Sequence, residues 1–161
     1  MRGDCNPVLG GFILIMNSKL ESKIRSEVEA LHKFFVGWFS GTLSTNVFES
    51  EFLERFDRDF LLIPPAGTVL TLEDFQSVVR SANAINPDFR IAIRNVQVHR
   101  VLDSHILATY EEWQRNALAS KPPKSARIAS VIFEQSESLK WLHIHETWLP
   151  ELIASAGPYN F

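Results

Sequence analysis

A chain of 161 residues, 45% hydrophobic and 22% charged, has the size and composition of one soluble globular domain. The net charge is −3 and there is no run of Lys or Arg, which excludes a typical nucleic-acid-binding footprint. A single cysteine, Cys5, excludes an internal disulfide framework and is typical of a protein of the reducing cytoplasm.

The N-terminal segment is too short to be a membrane span. Its apolar run, residues 10–16, has seven residues, whereas a spanning helix needs about 20. Asp4 offsets Arg2, which makes a poor signal peptide. The pattern Ser18-Lys-Leu-Glu21 is that of a capping box at a helix start. We therefore predict a tail over residues 1–17, one domain over 18–150, a second tail over 151–161, and no membrane partner.

Helical periodicity dominates the first half of the domain. Apolar residues three and four apart, from Leu20 to Phe39, predict a helix of about six turns that ends at Gly41. Thr45 can cap a second, shorter helix, whose buried side would hold Phe48, Phe52, Leu53 and Phe56. A third helix is predicted to begin at Thr71-Leu-Glu-Asp74.

The second half has the period of two that is typical of strands. A short strand over residues 59–63 ends at the turn Pro64-Pro-Ala-Gly67, and four longer strands are predicted after Pro87, over residues 89–102, 104–116, 127–135 and 139–149. Short links favour antiparallel neighbours. The expected fold is α+β, with about three N-terminal helices packed on one face of a curved antiparallel sheet.

Several segments in this order resemble the nuclear transport factor 2-like superfamily, the fold of steroid delta-isomerase and SnoaL-like polyketide cyclases. The segments are Phe35-Val-Gly-Trp-Phe39, Phe60-Leu-Leu-Ile-Pro-Pro-Ala-Gly67, Tyr110-Glu-Glu-Trp-Gln114 and Lys140-Trp-Leu-His-Ile-His145. The resemblance covers about Ser18 to Pro150. It implies a cone-shaped (cystatin-like) sheet that encloses a pocket open at its wide end, and a homodimer formed through the outer sheet face. This fold serves many functions, so the resemblance does not name one.

The last strand, Trp141 to Trp148, carries two histidines. Regular alternation places Trp141, His143, His145 and Thr147 on one face, and the resemblance implies that this face lines the pocket. A His-x-His pair can chelate a metal with Glu111 or Glu112, but no further His, Cys or Asp cluster is present, so we predict no metal site. The pair can also serve as a proton shuttle, or as hydrogen-bonded structural histidines.

The segment Tyr110-Glu-Glu-Trp113 must place one glutamate inside and one outside if the strand is regular. Relatives' pockets favour Glu111 as the inner residue. Arg127, across the hairpin, is a natural partner for either carboxylate, because a buried charge needs compensation. The alternative is an ion pair on the outer face.

Three functions remain open. The first is a dimeric small-molecule-binding protein with Trp38, Trp113 and Trp141 as pocket walls, in which Glu111, Arg127, His143 and His145 orient a partly apolar ligand. The second is a cofactor-independent isomerase, cyclase or dehydratase, with His145 or Glu111 as the base and Tyr110 as a hydrogen-bond donor. The third is an assembly module with a vestigial pocket. No Gly-rich phosphate loop or other cofactor motif is present.

Overall fold

A computed structural model describes the backbone of residues 7–118 and 122–161, and the side chains of residues 18–118 and 122–161. Four helices are described, namely α1 (Pro7–Ser40), α2 (Phe48–Glu51), α3 (Leu72–Ser81) and α4 (Glu151–Ala156). Six strands accompany them, namely β1 (Phe56–Ile63), β2 (Leu70–Thr71), β3 (Arg90–Leu102), β4 (His105–Arg115), β5 (Ser125–Gln135) and β6 (Leu139–Trp148). Among the described helices, none combines the length and apolarity that crossing a membrane requires.

Helix α1 begins at Pro7, so the prediction that it starts at Ser18 is wrong. Proline is tolerated in the first turn of a helix because its missing N–H would have no partner there. The capping-box pattern at Ser18 therefore lies inside a continuous helix. The predicted apolar stripe is confirmed, since Ile24, Val28 and Trp38 are buried. The first six residues of the predicted N-terminal tail lie outside the described part of the chain.

The predicted second helix is broken into three short pieces. A 3-10 turn over Thr45–Val47 leads into α2, and a second 3-10 turn over Leu53–Arg55 leads directly into β1. The predicted apolar side is nevertheless buried at Phe48, Phe52 and Phe56. Burial of these three rings, more than helical regularity, therefore fixes the path of this segment.

The sheet has the strand order β2-β1-β6-β5-β4-β3, and it is curved and not closed. Strands β3 to β6 form the predicted antiparallel meander. Strand β1, however, pairs with β6 in parallel, so the sheet is mixed rather than wholly antiparallel. The chain leaves β1, passes through β2 and α3 to the far edge at β3, and returns strand by strand until β6 lies beside β1.

Only one face of the sheet, here called the inner face, packs against α1. The space between them is filled by aromatic rings, which include Phe34 stacked on Trp38 and on Phe52 with centroid distances of 5.5 and 5.4 Å. Tyr110 and Trp141 are also fully buried there. Such rings bury a large apolar area, so this aromatic layer is the main hydrophobic core. The α+β fold class is confirmed.

Helix α3 begins at the predicted position, and Thr71 and Asp74 form a capping box there. The backbone N–H of Asp74 donates to the Thr71 hydroxyl, and the backbone N–H of Thr71 donates to the Asp74 carboxylate at 2.9 Å. The Asp74 carboxylate accepts from both the backbone N–H and the hydroxyl of Thr71, and these two bonds lower its pKa. The box fixes the start of α3 and hence the position of its buried Val79, whose carbonyl oxygen accepts from the Trp38 indole N–H at 2.7 Å.

Gly41 and Gly67 both have positive φ, but their surroundings differ. A Cβ at Gly41 would lie 2.7 Å from the Cβ of Ala84, whereas nothing lies within 4 Å of a Cβ at Gly67. We expect Gly41→Ala to lower the free energy of unfolding by about 2–4 kcal/mol, from backbone strain plus overlap. Gly67→Ala should cost only about 1 kcal/mol of strain. Urea denaturation of both variants checks this, and equal losses would contradict it.

Candidate ligand-binding site

An open cavity of about 990 Å³ lies where the end of α1, the loop after β1, the end of α3 and the C-terminal segment meet the ends of β4, β5 and β6. Its wall is mostly apolar. The large apolar and aromatic side chains in it are Phe39, Val78, Ile85, Phe89, Leu118, Trp148, Leu149 and Tyr159. Polar groups are few, which is typical of a small-molecule pocket.

The predicted C-terminal tail, residues 151–161, provides part of this wall. Helix α4 contributes Ala154, and the segment after it contributes Tyr159. The segment is held on the other, outer face of the sheet, where Arg94 donates to the carbonyl oxygen of Pro158 at 2.7 Å. The ring of Tyr159 also packs against Trp113 at 5.5 Å. One wall of the cavity is therefore a chain segment outside the sheet.

Arg127, on β5, is the charged side chain that joins the cavity to the interior. Its Nη1 donates to Glu146 Oε2 at 2.8 Å, and its Nε lies 3.7 Å from Glu112 Oε1. Its guanidinium lies 5.1 Å from the ring of Trp148. Burial alone would lower the pKa of Arg127, but Glu112 and Glu146 outweigh burial and raise it. Arg127 therefore stays charged while it lines the cavity.

Glu112, on β4, is the centre of a buried polar cluster. Its Oε2 lies 2.9 Å from His32 Nε2 on α1, and its Oε1 accepts from the Gln114 amide. Burial alone would raise the pKa of Glu112. The charge of Arg127 and the hydrogen bonds from His32 and Gln114 outweigh burial and lower the pKa to about 2. Glu112 is therefore an ionised carboxylate inside the protein.

The side chain of His32 ties helix α1 to Glu112. Its Nδ1 lies 2.7 Å from the carbonyl oxygen of Val28, one turn earlier in the same helix. Its Nε2 lies 2.9 Å from Glu112 Oε2 on β4. The imidazole is therefore held at both ring nitrogens, which fixes its orientation between the helix and the sheet.

Glu146, on β6, completes the cluster from the opposite side. Burial and the charge of Glu112 raise its pKa, and Arg127 acts against them. The two carboxylates therefore differ, since Glu112 ionises well before Glu146. Neither lies in the cavity wall, because Arg127 stands between them and the cavity. The two carboxylates therefore hold the Arg127 guanidinium on the side that faces away from the cavity.

The structure corrects the expectation for the two adjacent glutamates. Glu112 faces inward and pairs across the sheet with Arg127, while Glu111 faces outward opposite Ile128. Glu111 accepts from the Trp113 indole N–H at 2.9 Å and from the Asn95 amide at 2.8 Å. Tyr110 shares the inner face with Glu112 and is fully buried, and burial raises its pKa.

The expectation that His143 and His145 share a face with Trp141 is wrong. The β5–β6 register shifts between Trp141 and His143, which leaves Leu142 as an extra residue in β6. Such a bulge reverses the alternation beyond it. Trp141 faces inward before the bulge, Ile144 and Glu146 face inward after it, and both histidines lie on the outer face, with ring centroids 6.4 Å apart.

The three predicted wall tryptophans also lie away from the cavity. Trp38 is buried in the aromatic core, and the Trp141 indole N–H donates to Glu27 Oε1 at 2.8 Å. Trp113 lies on the outer face beneath the C-terminal segment. Of the eight predicted site residues, Arg127 alone lines the cavity as described. Sequence reasoning missed Trp148 and Glu146, whose inward direction follows from the bulge.

Metal ligands are not grouped in the part of the chain that the structure describes. There, no set of three or more His, Cys, Asp or Glu side chains is placed to hold an ion. Two histidines alone leave a metal site incomplete, since two further ligands are commonly needed.

Comparison with known proteins establishes the fold. No protein-family model matches the chain, and no curated protein matches it. Among solved structures, an NTF-2 like protein of unknown function from Pseudomonas aeruginosa is 23% identical with a TM-score of 0.70, over 79% of this chain and 98% of that one.

Two further neighbours differ in what they do. The association domain of CaMKII from C. elegans is 11% identical with a TM-score of 0.62, over 82% of this chain and 98% of that one. A candidate ketosteroid isomerase from Shewanella frigidimarina is 13% identical with a TM-score of 0.55, over 76% of this chain and 92% of that one. The chain has the nuclear transport factor 2-like fold, and the resemblance drawn from the sequence is confirmed.

Replacing Glu112 by Gln should strongly destabilise the protein. The change leaves the buried His32 without its carboxylate partner and removes one of the two carboxylates beside Arg127, and breaking a buried ion pair typically costs about 3–5 kcal/mol. The matched control is Glu111→Gln on the outer face, where a loss below about 1 kcal/mol is expected. Urea denaturation at pH 7 measures both. Similar losses in the two variants would contradict the central position of Glu112.

Glu112 should also set the acid stability of the protein. Its folded-state pKa is lowered from 4.5 to about 2, so its contribution is complete above pH 4.5 and is lost as the pH falls towards 2. The contribution of ionised Glu112 to the free energy of unfolding is on the order of 3 kcal/mol. Glu146, with its raised pKa, acts in the opposite direction and offsets part of this. Denaturation between pH 5 and 2 should show the loss in the parent and a smaller loss in Glu112→Gln.

Proposed function

We propose that this chain is a small-molecule-binding protein that holds a largely apolar, uncharged ligand in the open cavity. The observation that carries the proposal is the wall itself, since apolar side chains surround about 990 Å³ of space with Arg127 at its inner boundary. Pockets for small molecules generally combine an apolar wall with a few oriented polar groups.

Charge balance supports an uncharged ligand, since the two other charged side chains in the wall, Lys124 and Glu151, carry opposite charges. The charge of Arg127 is already compensated by Glu146 at 2.8 Å, and Glu112 lies close behind. An anionic ligand would add a negative charge beside two buried carboxylates. Among the Arg127 nitrogens, Nη1 donates to Glu146 and Nε is buried on the side of Glu112. Nη2 is therefore the nitrogen that can donate to a carbonyl or hydroxyl oxygen of a ligand without adding a charge.

Catalysis is less well supported than binding. The residues expected to act as base or donor, His145, Glu111 and Tyr110, do not line the described cavity. The carboxylate in its wall is Glu151, which is exposed at the start of α4. An isomerase, cyclase or dehydratase needs a base within hydrogen-bond reach of the ligand. A vestigial pocket is also less well supported, because the cavity is open and roomy.

The proposal includes a homodimer formed through the outer face of the sheet. This face carries partly exposed apolar residues, such as Leu61 and Ile128, in a fold whose inner face is already covered by α1. An uncovered, partly apolar sheet face is a common protein–protein contact surface. The single cysteine supports a cytoplasmic location as part of the same proposal.

A cavity-filling variant tests ligand binding. The probe is N-phenyl-1-naphthylamine, an uncharged compound that fluoresces in apolar sites. We expect saturable binding of about one probe per chain by the parent, and at least tenfold weaker binding by Ala82→Trp, because Ala82 lies in the cavity wall.

The matched control is Ala156→Trp, which places the same side chain on an exposed residue of α4 outside the described wall. Its affinity for the probe should equal that of the parent. If the parent does not bind the probe saturably, or if both variants bind as tightly as the parent, binding in this cavity is disproved.

A further inference from the structure

Ten outward-facing residues form a continuous band across four strands of the sheet, here called the neutral band. They are Leu61, Ile63, Leu107, Thr109, Ile128, Ser130, Ile132, His143, His145 and Thr147. The strand register joins them directly, since Leu61 and Ile132 flank His143 on β1 and β5, and Ile63 and Ser130 flank His145. None of the ten is buried in the single chain.

The neutral band contains no Asp, Glu, Lys or Arg, although the residues around it are charged. Glu111 borders it on one side, and Glu134 pairs with Lys140 across the other border. In a twofold dimer the band would face itself, so a charged side chain near its centre would meet the same charge on the partner. A band without charged side chains avoids this repulsion and the cost of burying a charge.

The size of the outer face also suits a second copy. The neutral band spans about three to five residues on each of its four strands, which at about 4.8 Å between strands and about 3.3 Å per residue is on the order of 250 Å² in projection. A standard interface takes about 800 Å² of accessible surface from each partner, so the band would form the centre of such an interface and its polar border the rim. The C-terminal segment leaves the band free, since it packs on Trp113 and Arg94, on β3 and β4.

We propose that two copies of this chain meet through the neutral band and that protonation of His143 and His145 separates them. This inference rests on the proposed homodimer. In the neutral form the two rings can be covered by the partner with little cost, whereas the charged form would bury cations without compensation. A twofold contact brings four such rings into one interface.

The side chains that flank the two histidines carry no charge that could stabilise a protonated ring, and the group that favours the charged form of His143 is the backbone of Leu61. Their neighbours on β5 and β1 are Ser130, Ile132, Leu61 and Ile63. Burial and then the neighbouring His145 lower the pKa of His143 already in the single chain. The titratable groups next nearest to the band are Asp59, two residues before Leu61 on β1, and His99, whose ring bonds to Thr109 at 2.7 Å, together with the bordering Glu111, Glu134 and Lys140.

The direction of the effect follows from linkage. A histidine that stays neutral in the dimer but takes a proton in the free chain favours dissociation as the pH falls. Each such position occurs twice in the dimer. The dissociation constant should therefore rise about a hundredfold for each pH unit below the pKa of that histidine in the free chain, and more when both positions contribute.

Sedimentation equilibrium between pH 7.5 and 5.0 tests the proposal. This range lies above the window in which Glu112 takes up its proton, so the contribution of Glu112 to stability stays constant across it. We expect the parent to be a dimer at pH 7.5 and to dissociate towards pH 5.0. His143→Gln with His145→Gln should remain dimeric throughout, and His105→Gln, an exposed histidine outside the band, should behave like the parent.

Should the double variant fold poorly, His145→Gln alone changes an exposed residue and should reduce the pH dependence without abolishing it. A parent that is monomeric at pH 7.5 overturns the homodimer itself. A parent that is dimeric over the whole range overturns the histidine switch and leaves the homodimer standing. Equal dissociation of the parent and the double variant assigns the pH response to other groups and likewise overturns the switch.

Discussion

The buried carboxylate of Glu112 is the constraint on which the rest of this structure depends. A charge with so little access to water must be compensated, and each compensating group comes from a different element, His32 from α1, Arg127 from β5 and, through Arg127, Glu146 from β6. The cluster therefore fixes where the long helix crosses the sheet. It also fixes the direction of Arg127, which is what gives the cavity its polar group.

Local patterns in the sequence predicted the elements whose contacts are repetitive. The stripe from Leu20 to Phe39 and the four-stranded meander were predictable because buried apolar residues recur at a regular spacing, once per helical turn or at every second strand residue. The start of α1 and the parallel partner of β1 were not. Helix α1 continues through Ser18-Lys-Leu-Glu21, although this pattern usually marks the start of a helix. The pairing of β1 with β6 joins two segments about eighty residues apart, which local patterns do not reveal.

The candidate site was harder to predict, because it depends on which way individual side chains point. The extra residue Leu142 reverses which face of the sheet each later side chain of β6 points to. Glu146 and Trp148 therefore lie on the inner face, where His145 and Thr147 were expected. The local sequence also does not show which of Glu111 and Glu112 faces inward, since each is next to an aromatic residue, Tyr110 or Trp113. Arg127 was predictable because it is a suitable partner for either carboxylate across the hairpin.

The cavity wall and the charged cluster behind it come from different parts of the chain. Residues 151–161 shape one side of the cavity but do not contact Glu112, whereas the groups that hold Glu112 lie on the sheet and on α1. Substitutions in this C-terminal segment can therefore alter the shape of the cavity at little cost to the folded core. In evolution, such a division would allow the shape of the cavity to change while the scaffold stays the same.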